Sequence, residues 1–195
     1  MYSDTLIIIM IVFIIGISYR IYLNSDYFQL KCIISTVDGE KYCVREQKMI
    51  KTAANHLANV NNNMKEIVSH CKKNFPDQEN VKRLVKGFNP KSIVETLPTS
   101  KYTAYSENKG EKLAFCLNKK KDEENLIDIN TLTFVAIHEL SHIATESIGH
   151  TPEFWNNFKF LLIEAEKINV YKAIDYEKNP KQYCGMTISH NPYYD

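Results

Sequence analysis

Residues 131–155 read TLTFVAIHELSHIATESIGHTPEFW, and three polar, titratable groups sit within a stretch otherwise suited to burial. His138 and His142 are four residues apart, so on a helix both imidazoles leave the same face one turn apart. That spacing lets them bind one Zn2+ as neutral ligands. Glu139 stands beside the first of them. From there its carboxylate can approach a water in the metal's open position, take its proton as the water attacks a carbonyl, and pass it to the leaving amine. A third protein ligand has to come from outside that helix face. His150 follows Gly149, a residue type that ends helices by taking the left-handed conformation, and it is the leading candidate. Glu164, further along, is the alternative in a two-His-one-Glu set. Thr145 and Ile148 occupy the glycine and third-histidine places of the longer HExxHxxGxxH pattern, which is thereby excluded.

The elements that must position these groups can be read outward from them. Asp128 or Asn130 is the expected N-cap of the histidine helix, which should run through TLTFVAIHELSHIATESI until Gly149 stops it. Thr151 then caps a second helix with Pro152 at its first position. Phe154, Trp155, Phe158, Leu161, Leu162, Ala165 and Ile168 give that helix a buried face, and packing of Phe154 and Trp155 should fix the turn that holds His150. Upstream, YFQLKCIISTVDGEKYCV reads as a β-hairpin about a two-residue Asp38-Gly39 turn. Such a turn sets Cys43 opposite Ile34 and disfavours a Cys32–Cys43 bridge. Met49, Ala53, Leu57, Val60, Met64, Ile67 and Cys71 predict one face of a long helix ended by Pro76. Val81, Leu84, Val85 and Phe88 predict a shorter one stopped at Asn89-Pro90. A looser stretch, NPKSIVETLPTS, leads to a second hairpin turning at Asn108-Lys109-Gly110, and NKKKDEEN, residues 118–125, reads as a solvated charged loop.

The chain opens on an unbroken apolar run, Leu6 to Ile17, that continues to Leu23 with Arg20 as its charged interruption. We read residues 6–23 as a transmembrane helix that places the chain in a lipid bilayer, with Tyr2, Tyr19 and Tyr22 at the interfaces. No Lys or Arg precedes the run and no small-x-small site follows it, which argues against a cleaved signal peptide. Arg20, Lys31 and Lys41 follow the span, so the positive-inside rule puts the body in the cytoplasm as part of a single-pass membrane protein. Residues 1–23 are thus an anchor and 24–195 one domain. Lys plus Arg number 24 against 23 Asp plus Glu, which leaves no positive excess for nucleic acid, and no direct nucleic-acid binding is expected. The five cysteines are an odd count without CxxC spacing, which fits a reducing compartment better than a complete disulfide framework. No asparagine begins an Asn-x-Ser/Thr sequon.

HELSH and GHTPEFW together resemble the WLM and SprT/Spartan group of zinc metallopeptidases. That resemblance implies His138, His142 and His150 as zinc ligands, Glu139 as catalytic base, an α+β zincin-like domain behind the transmembrane helix, and protein or peptide substrates. More loosely, YCVREQ, YSENKGEKLAFCL, FWNNFKFLLIEA and the terminal YCGMTISHNPYY resemble small WLM-like proteins of large DNA viruses, which implies a host or virion membrane. In relatives the strand before the metal helix borders the cleft, so Tyr105 to Leu117 is expected to offer an edge to a substrate peptide. The DNA-repair role of some members is not carried across, because the chain is nearly neutral and has no zinc ribbon. Cys184 and His190 are expected in structural or surface roles, and His56 and His70 on helix surfaces. Tyr105 and Tyr183 are candidate oxyanion donors without a spacing argument. Two rival readings remain: a catalytically silent, zinc-stabilised protein-binding module, and a membrane interaction platform whose histidines are relics. Glu139 favours the enzyme, since holding a metal would not need a carboxylate there.

Overall fold

The computed structural model describes residues 2–120 and 125–195, the side chains of Tyr2, Ser3 and Asp26 apart. The opening apolar run folds as α1 (Tyr2–Leu23), exposed from Asp4 through Tyr22. Its 22 residues rise about 33 Å, enough for a hydrocarbon core of about 30 Å. By length and composition it can cross a membrane.

A short helix, α2 (Asp26–Gln29), runs into β1 (Leu30–Ile34), which pairs antiparallel with β2 (Lys41–Arg45). The hairpin departs from expectation. Its register sets Ile34 opposite Lys41 and Cys32 opposite Cys43, and those cysteines form a disulfide. The reason lies in the connection, which is the longer loop of residues 35–40. Ser35 and Glu40 close it (2.9 Å), and the Asp38 carboxylate accepts from the Glu40 N–H and the Tyr42 hydroxyl. Relative to a two-residue turn the partner strand shifts by two positions, which keeps its faces and brings Cys43 directly across from Cys32.

The two helices predicted from periodicity are present. In α3 (Ile50–Asn74), Ala53, Leu57, Val60, Met64, Ile67 and Cys71 are buried, and in α4 (Glu79–Gly87), Val81 and Leu84 are. Between them and the second hairpin lies β3 (Ile93–Glu95), in the stretch read as a loose connector. A run of three residues is too short to display a strand's period. β4 (Ala104–Glu107) and β5 (Lys112–Phe115) form the hairpin, turning through left-handed Asn108 and Lys109 and positive-φ Gly110. The mixed five-stranded sheet has the order β1-β2-β3-β5-β4, with β3 parallel to β2 and β5 and both outer pairs antiparallel. β4 is one edge.

After the sheet come α5 (Ile129–Ala144), α6 (Pro152–Lys167), a hairpin of β6 (Lys181–Tyr183) and β7 (Met186–Ile188), and a short 3-10 turn at Pro192–Tyr194, which complete the described α+β fold. α5 is central, packed against α3, α4, α6 and β4. A second disulfide joins Cys116, just past β5, to Cys184 in the β6–β7 turn. Four of the five cysteines are therefore paired and Cys71 is buried, which corrects the reading of an odd set without a framework. Of the expected charged loop, residues 121–124 lie outside the described residues. Its base is closed where the Lys119 N–H donates to the Asn125 carbonyl (2.8 Å).

Candidate metal centre

Asp128, not Asn130, caps α5: its carboxylate accepts from the Thr131 N–H and hydroxyl, both at 2.9 Å. From there the helix is buried on almost every side, with His138 and His142 on its half-buried strip. It ends at Ala144, five residues before Gly149, contrary to the continuous helix expected. The last carbonyls find other partners. The Thr145 hydroxyl donates to the Ser141 carbonyl (2.7 Å), Arg83 Nε to Ala144 (2.8 Å), and Lys109 Nζ to Thr145 (2.7 Å) and Ser147 (3.1 Å). Two cations at a helix C-terminus satisfy its orphan acceptors and its negative dipole end, so the chain can leave early. Lys109 is aimed there by its turn, where Gly110 packs against Gly87 of α4 with no room for a Cβ on either.

The freed residues form a bend held by Glu153 from the first turn of α6. Its carboxylate accepts from the N–H groups of Glu146 (3.0 Å) and Ser147 (3.1 Å) and from the Ser147 hydroxyl (2.8 Å), and pairs with Arg83 (3.0 Å). Those hydrogen bonds, led by the Glu146 N–H, hold its pKa down to about 2. Gly149 turns the chain with φ 85°, and Thr151 caps α6 by accepting from the Phe154 N–H.

This bend carries His150 over the histidine pair. His142 Nε2 and His150 Nε2 lie 3.2 and 3.1 Å from His138 Nε2, and the three residues' ligand atoms fall within 4.8 Å of one another. A tetrahedral zinc with bonds of about 2.0–2.1 Å sets its nitrogen ligands about 3.3 Å apart, so the triad fits such an ion. The Phe154 ring backs all three imidazoles, with centroids 4.4–4.9 Å away. Trp155, expected in the buried face, is 41% exposed and lies beside His150 instead. Burial, then the charges of His142 and His150, pushes His138 down to about 3; burial, then His150 and Lys109, takes His142 down to about 4. Both are neutral at pH 7, the form a metal ligand needs. Glu139 is 4% exposed, and burial pushes its carboxyl up to about 8.

Glu164 is not with this group. It is buried facing α3, where His70 Nε2 (2.8 Å) holds one oxygen, while Lys167 Nζ (2.6 Å) from its own helix holds the other. His70 thus hydrogen-bonds a buried carboxylate rather than sitting idle on a helix surface. His56 Nε2 lies 3.2 Å from the Ile127 carbonyl.

The triad and Glu139 open into a cleft of about 950 Å3, bordered by edge strand β4 with Tyr105 and by the β6–β7 hairpin and the tail after it. Tyr183 is buried there and its hydroxyl donates to the Thr103 carbonyl (3.0 Å). Burial, with the Glu139 charge next in weight, raises it well above the usual tyrosine range. His190 also lines the cleft, beside Trp155, with Nε2 3.3 Å from Asp195. Nothing in the local pattern of residues 181–190 points to the cleft; the disulfide from Cys184 back to Cys116 brings them there, and the odd cysteine count hid it.

Comparison with known proteins gives a viral family and a loose structural likeness. The chain is 30% identical over 191 residues to an uncharacterized protein, R325, of Acanthamoeba polyphaga mimivirus, covering 95% of this chain and 96% of that one. An uncharacterized protein of Invertebrate iridescent virus 6, 136R, is 34% identical over 83 residues, 42% of this chain and 44% of its own length. No family model matches. The crystal structure of Wss1 from Saccharomyces cerevisiae aligns with a TM-score of 0.39 and 20% identity over 62% of this chain and 76% of that one, too loosely to assign a fold.

Proposed function

The chain belongs to the family of the mimivirus protein R325, matched along nearly its whole length, and on that premise and the histidine geometry we propose that it is a membrane-anchored zinc metallopeptidase of a virus. In this reading residues 1–23 are the anchor and residues 24–195 a WLM/SprT-like, zincin-type domain. The observation that carries it is the convergence of three imidazole Nε2 atoms, 3.1–3.2 Å from His138 to each partner, beside a buried glutamate in an open cleft.

His138, His142 and His150 would hold the ion. Bound zinc would supply an acidified water and a positive charge for the carbonyl oxygen. Glu139 takes the water's proton and delivers it to the leaving amine, so water adds across the peptide bond and no covalent enzyme intermediate forms. Burial favours its protonated form, and a bound dication would supply the opposing charge that favours the carboxylate, the form Glu139 needs as a base. The neutral rings of His138 and His142 release no proton on binding the metal, and the Phe154 ring fixes their orientation. An extended polypeptide is the ligand that a cleft bordered by an edge strand suits.

For the side of the membrane we weigh two observations. The charge bias that favours a cytoplasmic body rests on three residues, Arg20, Lys31 and Lys41. Two disulfides belong to an oxidising surrounding. We place the body on an oxidising face, such as a lumen or a virion surface.

The test is zinc content and peptide hydrolysis of the full chain in detergent, for the wild type and for Glu139→Gln and His138→Ala. The hydrolase reading expects zinc in the first two and hydrolysis in the wild type alone. If the wild type and Glu139→Gln hold zinc and neither cuts any peptide, the chain is the silent, zinc-stabilised binding module.

A further inference from the structure

The cleft lies close to the end of α1. Only Asn24 and Ser25 separate that helix from α2, and α2 passes directly into the sheet, so the apolar helix joins the body without a linker. Its last turn is also docked: the Thr99 hydroxyl donates to the Leu23 carbonyl (3.0 Å) and reaches Asn24 Oδ1 (3.2 Å), while Gln29 Nε2 donates to the Tyr22 carbonyl (3.2 Å). Thr99 belongs to the segment between β3 and β4. Two and three residues on, Lys101 and Tyr102 already line the cleft. Two residues reach at most about 7 Å, so the cleft lining begins within that distance of Thr99, the residue whose hydroxyl holds the end of α1.

Side chains at this junction mark a height in the bilayer. Tyr22, Tyr27 and Phe28 form an exposed aromatic cluster with centroids 5.5 and 5.1 Å apart. With Arg20 in the last turn of α1 and Lys101 on the rim, this is the mixture of aromatic and basic groups that settles among lipid headgroups. The rim is also apolar where a soluble protein would favour polar groups. Tyr102, Trp155, Met186 and Ile148, the last 91% exposed, all face the cleft.

We propose that the cleft opens at the membrane surface and takes extended, apolar polypeptide segments that emerge from the same bilayer, so that its substrates are the membrane-adjacent segments of membrane proteins. This rests on the hydrolase reading and on α1 as the anchor. A body held at headgroup level meets the first residues beyond a neighbouring transmembrane helix at high effective concentration, whereas a site far along a flexible tether is diluted.

Two measurements on the full chain in phosphatidylcholine vesicles test this. The chain has a single tryptophan, so Trp155→Phe combined with Tyr102→Trp leaves one tryptophan, on the rim, to be excited selectively. Lipids carrying a nitroxide on the headgroup should quench it strongly, and unchanged emission overturns the membrane-facing placement. In the second, the unmodified chain with zinc is mixed with two single-span reporters bearing the same Leu/Phe/Tyr-rich segment, directly after the span or beyond a flexible spacer of about 40 Gly/Ser residues. The adjacent segment should be cut at least about tenfold faster. Quenching with equal cleavage overturns the substrate assignment alone. Quenching without cleavage of either reporter overturns the hydrolase reading and the substrate assignment with it.

Discussion

Glu139 is the side chain whose surroundings separate chemistry from structure. It is buried beside His138, and burial pushes its carboxyl up to about 8. A residue kept only for packing would be cheaper to hide as an apolar one, since a buried carboxyl without compensation costs stability. Glu139→Gln keeps the volume and removes the base. The substitution should leave zinc content unchanged and lower peptide hydrolysis by about 10²–10⁴-fold, read from initial rates at saturating zinc. His150 makes the complementary case. His150→Ala takes one nitrogen from the triad and should lower zinc occupancy at limiting metal, whereas Glu164→Gln should leave it unchanged, because Glu164 is engaged by His70 and Lys167. Competition against a zinc chelator measures both.

At the scale of elements, the bend of residues 145–150 decides where His150 points, and Glu153 decides the bend. Hydrogen bonds hold its pKa at about 2, below the usual 4.5. A carboxylate with a depressed native pKa stabilises the fold above the unfolded value and loses that contribution as pH falls through the native one. Wild type and Glu153→Gln should therefore differ in denaturation midpoint at neutral pH, and the gap should close as pH drops from 4.5 toward about 2. The β6–β7 hairpin is held by Cys116–Cys184, which closes a loop of 68 residues. Replacing both with serine should remove about 4 kcal/mol by the chain-entropy account and lower the melting temperature by roughly 10 °C. Elements with a long apolar period, α3 and the start of α5, were legible because each repeats its signal over several turns. So were the caps at Asp128 and Thr151 and the turn at Asn108-Lys109-Gly110. The three-residue strands β3, β6 and β7 were not, since so few residues show no alternation. The early stop of α5 was hidden for a different reason: Arg83 and Lys109, which satisfy its last carbonyls, are 61 and 36 residues away from the groups they bond. The three histidines that converge are near one another in sequence and share a local pattern, whereas the cleft walls are joined across the chain and show none.

For the whole molecule, two residues separate α1 from the next element and the Thr99 hydroxyl bonds its last turn. If the body lies on an oxidising face, Cys32, Cys43, Cys116 and Cys184 should resist alkylation in intact vesicles or virions until a reductant is added. Protease added outside sealed host membranes should leave the body intact if it lies in the lumen and digest it if it lies in the cytoplasm. Free, fully alkylated cysteines together with digestion would return the body to the side that the charge bias favours. The central claim remains the ion. X-ray absorption at the zinc edge on the full chain, purified in detergent with one equivalent of zinc, reads its ligands directly. The account predicts three imidazole nitrogens and one water oxygen at about 2.0–2.1 Å, with one nitrogen lost in His150→Ala. Sulfur at about 2.3 Å, or zinc that washes away from the folded wild-type chain, would contradict it.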